Sequence, residues 1–287
     1  MKAARPGWGL RLVSSPVRAV LAALVAAVAL VPFVGLGQVP KEGLTLWLDA
    51  ESLGSIRDGS VFDVWRNRSP VITSDELTAQ PGNEPTFKAG ILNGKPVVRF
   101  DGTNDLFTGS SWETYISPTQ FTWFVVFNAA AVRTDGSSYW NNSGILGEAG
   151  GNLGLGLKGA DSPSYLRAGF EAPPYSTGGK WVEISCVPGK WQVAVVRFDA
   201  NSPTNLYLHS QSESEEGIVV GAPVGSLKGT MTSPLRLGQS ASGFGNLSFQ
   251  GDVAEVLIYN RSLSRDEIRG VESYFSSKFN ISRLKAK

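Results

Sequence analysis

One histidine and one cysteine restrict the nucleophilic chemistry open to this chain. A Ser-His-Asp device needs an imidazole base held by a third group. The sole imidazole, His209, falls on the return strand of an expected hairpin and reads as a surface or rim residue. Cys186 sits in the apolar run WVEISCV and reads as a small buried hydrophobe rather than a reactive thiol. A zinc site built from His and Cys is excluded by count. Glycoside cleavage with retention needs two carboxyl groups about 5 Å apart, which alternate positions of one strand would supply. The closest stretch, Glu213-Ser214-Glu215-Glu216, lacks apolar alternation and reads as a solvated loop. Gly150-Gly151-Asn152-Leu153-Gly154 is glycine-rich, but no helix follows to make a phosphate cradle.

Sugar recognition is the chemistry the residue types favour. Apolar rings with a few placed amides and hydroxyls make a ligand site. Tyr139-Trp140-Asn141-Asn142 offers that mixture best, followed by Tyr175 (after Pro173-Pro174) with Trp181, and then Trp112 with Tyr115. The alternative for each is a ring folded back over the edge of the fold. Trp47, Trp65, Trp123 and Trp191 lie within or beside expected strands and read as core.

The elements that must position these residues are short strands. Leu44–Leu48, Pro96–Phe100, Phe121–Asn128, Ser143–Leu146, Leu153–Leu157, Tyr165–Phe170, Gln192–Asp199, Asn205–His209, Pro234–Leu237 and Val253–Tyr259 are rich in Val, Leu, Ile and aromatics. Turn signals such as Asn93-Gly94, Asp101-Gly102 and Pro188-Gly189 separate them. In the segment WQVAVVRFDANSPTNLYLHS, Val193, Val195 and Arg197 point one way, and Ala194, Val196 and Phe198 the other. Apolar residues on both sides suit a strand buried on both faces. Helical periodicity appears once, near the end. Ser264 and Glu267 form a capping box, and Ile268, Val271, Phe275 and Phe279 share one face.

Residues 1–37 read as a signal peptide or an N-terminal membrane anchor. Lys2, Arg5, Arg11 and Arg18 precede the apolar run Ala19 to Leu36. Residues 38–287 are then a single sandwich domain that is secreted, periplasmic or held at the cell surface, with membrane contact only through the first segment. The chain carries 26 Lys+Arg and 25 Asp+Glu, for a net charge of +1, and loss of the leader's four basic residues takes this to −3. No basic stripe remains, so nucleic acid is not an expected partner.

Four segments carry a family likeness: LTLWLDAESL with VFDVWRNRS, GKPVVRFDGTNDLF, QVAVVRFDANSPTNLYLH and GDVAEVLIYNRSLSRDEIRGVESYFSSKF. In this order they resemble bacterial laminin G-like domains of the concanavalin A-like lectin/glucanase superfamily. The resemblance implies an all-β, two-sheet antiparallel jelly roll with a short amphipathic helix that caps one end or edge. The superfamily's glucanases carry Glu-x-Asp-x-(x)-Glu on one strand, and legume-type lectins hold Mn and Ca with a related acidic strand. This chain has neither pattern. Many relatives hold a structural calcium with an Asp five residues before the tyrosine matching Tyr259, but Ala254 stands there and Glu255 follows. Asp101 and Asp105 are the remaining candidate calcium ligands, against a plain side-chain-capped turn. The function expected from these readings is a non-catalytic carbohydrate-binding or adhesion module with a glycan or surface protein as partner. The alternatives are a protein-interaction domain without a sugar site and, less favoured, a glycoside hydrolase.

Overall fold

The computed structural model describes residues 37–132, 143–148, 153–159, 164–170, 180–202, 206–212, 216–221, 227, 231–239 and 248–281. The leader assigned to residues 1–37 therefore lies outside them, apart from Gly37 itself. So do Tyr139, Trp140, Asn141, Asn142 and Tyr175. In chain order the strands are β1 (Leu44–Asp49), β2 (Val64–Arg66), β3 (Glu76–Thr78), β4 (Thr86–Leu92), β5 (Lys95–Asp101), β6 (Phe107–Ser111), β7 (Gln120–Ala131) and β8 (Ser143–Glu148). They continue as β9 (Leu153–Lys158), β10 (Ser164–Phe170), β11 (Lys180–Cys186), β12 (Trp191–Asp199), β13 (Leu206–Ser212), β14 (Glu216–Gly221), β15 (Pro234–Leu237) and β16 (Gln250–Tyr259). A 3-10 turn at Ala50–Leu53, a single helical turn at Trp112–Tyr115 and the closing helix Arg265–Phe279 complete the described elements.

Two antiparallel sheets form. The first has the order β14-β13-β12-β7-β16-β5-β4, with β1 also paired to β16. The second runs β11-β10-β9-β8-β15-β6-β3-β2. Period-2 alternation divides each strand between two surroundings. Val125, Phe127, Ala194, Val196, Phe198, Val256 and Ile258 of the first sheet meet Leu77, Phe107, Leu155, Leu157, Leu166 and Leu235 of the second in one core. The intervening residues Phe124, Val126, Val193, Val195, Leu257 and Tyr259 form a separate core on the opposite face of the first sheet. The hairpin pairs as its pattern predicts, with Val196 opposite Leu208 and Phe198 opposite Leu206.

That second core is made by the closing helix. Ser264 accepts from the Glu267 amide, and the Glu267 carboxylate accepts from the Ser264 amide, as the sequence predicts. Ile268, Val271, Phe275 and Phe279 are all buried in it. The helix lies on the outer face of the first sheet, so the expected placement at an end or edge is corrected. The cause is the predominantly apolar face of β7, β12 and β16, which is too large to leave in water.

This placement also corrects the expectation for His209, which is buried, with Nδ1 2.6 Å from Oε1 of Glu272 on the helix. Trp112 and Tyr115, taken as loop candidates for sugar contact, are fully buried. Their helical turn folds them inward, where Trp112 tilts against Trp123 at 4.9 Å between ring centroids. Trp65 and Trp123 are core as expected, whereas Trp47 and Trp191 are only half-buried beside the helix layer. Cys186 is buried, and burial pushes its thiol up to about 11, which keeps it unreactive.

Candidate functional site

With the first sheet covered by its helix, the outer face of the second sheet is the sandwich's other broad surface. Its register places one line of residues across the seven strands from β11 to β3. Trp181 on β11 pairs with Gly169 on β10, Gly169 with Gly154 on β9, and Gly154 with Gly147 on β8. Gly147 then pairs with Arg236 on β15, Arg236 with Thr108 on β6, and Thr108 with Thr78 on β3. A second line joins Glu183, Arg167, Gly156 and Gly144. Five glycines thus share the part of this face that strands β8 to β10 make. Opposite them, Leu146, Leu153, Leu155, Leu157, Leu166 and Ala168 point into the core.

Glycine weakens a strand, and in a strand interior it marks a bulge, a bend or the close approach of a ligand or another backbone. β8 shifts register between Gly144 and Leu146, and a Cβ on Gly156 would meet the Ser143 carbonyl at 3.2 Å. The five glycines and Arg167 are buried, while Lys158, Tyr165, Glu183 and Arg236 are partly exposed. The glycine line, the floor of this face, is thus out of solvent, while the polar residues flanking it reach solvent. At about 4.8 Å per strand, Trp181 and Arg236 stand roughly 19 Å apart along the first line. Arg167 pairs with Glu183, and the Lys158 ammonium lies 3.4 Å from the same carboxylate. Arg236 donates to Gln239 Oε1. Burial depresses both guanidinium pKa values, that of Arg167 to about 10.

Of this cluster only Trp181 was singled out from sequence as a ligand contact, and Gly154 was named only within a glycine-rich run rejected as a phosphate cradle. Trp181 stands on the floor's border as the register partner of Gly169. A signal was present in the run LGLGLK at 153–158, where every second residue is glycine. Period 2 sends those glycines to one face.

The calcium candidates Asp101 and Asp105 lie in a turn. Asp101 Oδ1 accepts from the amides of Thr103 (2.7 Å) and Asn104 (3.3 Å), and Asp105 Oδ2 accepts from the Asp101 amide at 2.8 Å. Gly102 is required there. Its φ is +78°, and a Cβ would meet Gln250 at 2.6 Å. The two aspartates border a cavity of about 580 Å³ that also includes Arg99, paired with Asp252. Among the described residues no three His, Cys, Asp or Glu converge as a metal cage.

Burial, with repulsion from Asp101 and Glu84, raises Asp105 to about 6 against the pull of the Asp101 amide. Its folded pKa exceeds the unfolded one, so the native state holds the extra proton between about pH 4 and 6. Stability therefore falls as pH climbs through that window. Asp105→Asn keeps an acceptor for the Asp101 amide and carries no charge. It is expected to match the parent at pH 4 and to be more stable by ~1–3 kcal/mol at pH 7. Thermal melts across this range check the sign.

A second cavity, of about 610 Å³, is lined by Trp47, Asp49, Glu51, Ser52, Arg68, Tyr274 and Lys278. Its charges are matched internally. Lys278 Nζ lies 2.9 Å from Asp49, 3.2 Å from Glu51 and 2.7 Å from Glu255. Asp49 also pairs with Arg68, whose guanidinium covers the Trp47 ring at 4.9 Å. Glu255 accepts from Trp47 Nε1 and the Tyr274 hydroxyl, and it is fully buried. Ala254, at the position where relatives carry the calcium aspartate, is buried in the layer beneath the helix. This cluster ties the helix to β1 and β16.

The laminin G model of the concanavalin A-like lectin/glucanases superfamily matches residues 102–269. The chain belongs to that superfamily. Two sheets face to face, read from the sequence as an all-β jelly roll, are the superfamily's architecture. No curated protein matches the chain in sequence.

Solved structures share the superfamily fold. Trypanosoma rangeli sialidase in complex with sialic acid aligns over 84% of this chain and 34% of its own, with a TM-score of 0.54 and 16% identity. A GH54 α-L-arabinofuranosidase mutant soaked with 4-nitrophenyl α-L-arabinofuranoside aligns over 85% and 61%, with a TM-score of 0.54 and 11% identity. An arabinofuranosidase complexed with arabinofuranosyl-α-1,2-xylobiose aligns over 84% and 60%, at 0.53 and 11%. The chain thus spans about a third of the sialidase and three fifths of the arabinofuranosidases.

These structures correct the expected function. The sequence was read as a non-catalytic module and not an enzyme, because a strand motif of paired acids is missing. Yet its sandwich is shared by proteins named as glycoside hydrolases, so a missing motif does not set the chain apart from enzymes. At 11–16% identity the likeness is one of fold.

Proposed function

We propose that this chain engages glycosides in a glycoside-processing role, through the outer face of the second sheet. The observation that carries this is the line of Gly169, Gly154 and Gly147 between Trp181 and Arg236. A floor without side chains lets a flat sugar lie against backbone. Tyr165, Glu183, Lys158 and Arg236 then supply donors and acceptors for its hydroxyls. The sialidase and arabinofuranosidase structures named above support a glycan as the partner class. An exported setting, with residues 1–37 as leader or anchor, belongs to the same proposal. So does a structural calcium at Asp101 and Asp105, which a rise in melting temperature on adding calcium would support and an unchanged melt would reject.

The test incubates the full chain with a panel of arabinans, sialylated glycans and plant and bacterial polysaccharides. Both retention of the polymer and release of reducing sugar are measured. Gly154→Val suits a strand in propensity but fills the floor. It is expected to weaken binding, and any turnover, at least tenfold, while the chain still melts cooperatively. Retention unaffected by Gly154→Val would reject this face as the site.

A further inference from the structure

We infer that the glycoside this face takes is anionic, carrying uronate carboxylates or sulfate esters. The inference rests on the glycoside reading and deepens it. Among the described residues of strands β8 to β11 and β15, three cations reach this face (Lys158, Arg167 and Arg236) against one carboxylate, Glu183. Lys158 and Arg167 share that carboxylate. Arg236 stands apart, on the far side of the glycine floor, and its side chain bonds to the neutral Gln239.

A half-buried guanidinium without a counter-charge has lost part of its hydration and gained no ion pair. Its planar fork fits a carboxylate or a sulfate through two parallel hydrogen bonds. The position is apt for a ligand. Arg236 pairs in register with Gly147, so its Cα adjoins the bare floor where a sugar ring would lie. An anionic substituent at one end of that ring would meet Arg236. A neutral sugar would leave the cation uncompensated beneath it, which costs affinity. Charge complementarity therefore selects the ligand class, while the glycines select only for flatness.

Affinity electrophoresis of the full chain against polygalacturonate, dextran sulfate and neutral arabinan tests this, with the salt concentration varied. At least one anionic polymer is expected to bind at least tenfold tighter than arabinan and to weaken as salt rises. The polyuronate and sulfate arms separate the two sources of charge. Arg236→Gln is expected to reduce anionic binding roughly tenfold, as loss of a charge-assisted pair does, and to reduce arabinan retention by a much smaller factor. Arg269→Gln, on the exposed side of the closing helix, reports non-specific charge and is expected to change nothing. Equal binding of neutral and anionic polymers would overturn the inference while the glycoside reading stands. Equal loss in Arg236→Gln and Arg269→Gln would overturn it too. If no polymer binds in any arm, the glycoside reading itself has failed.

Discussion

Lys278→Met is expected to destabilise the sandwich by about 3–5 kcal/mol, the usual result of removing one partner from a buried ionic cluster. Methionine keeps the stem that packs beside Tyr274 and removes only the ammonium. Glu255, fully buried, and Asp49, almost so, would then face each other without the cation between them. The loss should depend on pH. Burial raises Glu255 to about 7, with Asp49 adding to the rise and Lys278 opposing it. Burial opposes the charge on Lys278, but Glu255 and Asp49 hold its pKa above the usual value. A carboxyl raised above its unfolded value of 4.5 stabilises fully below that pH. That contribution fades as pH rises toward 7. Without Lys278 the folded pKa of Glu255 rises further, so the penalty should be larger at pH 8 than at pH 5. Denaturant melts at both pH values decide this. A penalty below 1 kcal/mol, or one equal at the two pH values, would show that the ammonium is not holding the cluster. Glu255→Gln in the Lys278→Met background should restore part of the loss, because the buried charge is gone.

Phe275→Ala should cost a similar amount, about 3–5 kcal/mol, by leaving a cavity between helix and sheet. Phe275 is fully buried, 6.1 Å from the Phe124 ring and 6.2 Å from that of Phe279. Those contacts hold the helix over β7, so the variant exposes the outer face of the first sheet as well as losing one ring. Urea unfolding reads the midpoint shift. Phe275→Leu, which keeps most of the volume, should lose less than about 1.5 kcal/mol. Equal midpoints for parent and Phe275→Ala would mean that the helix contributes little to the fold.

The strands were legible because their residues alternate or run apolar between turn signals, as Val193 to Phe198 do. The helix was legible because Ser264 and Glu267 cap it and four apolar residues follow at helical spacing. Its location was not legible. Alternation shows that β12 has two apolar faces, but not which partner covers each. Glu255 and Lys278 looked like ordinary charges, since their meeting depends on a helix packed across a strand 23 residues away. Short pieces such as Val64–Arg66 and Glu76–Thr78 have too few residues to show a period. The candidate site was hidden for a different reason. Searching for aromatic rings and acid pairs favours side chains, and this site is marked by residues that have none. The glycines at 154 and 156 become informative only once Leu153, Leu155 and Leu157 are seen to face the core.

The partition of β16 bears on how the chain comes to be made. One edge of this strand pairs along its length with β7, and the other is shared between β5 at Gln250–Val253 and β1 at Glu255–Tyr259. Leu44 and Tyr259 are partners across about three quarters of the sequence. A chain emerging from the ribosome therefore holds β1, β5 and β7 with open edges until some 250 residues have been synthesised. Such long-range closure is slow, and unpaired edges invite association with other chains meanwhile. Efficient production would depend on something shielding those edges, or on keeping the growing chain dilute, until β16 arrives.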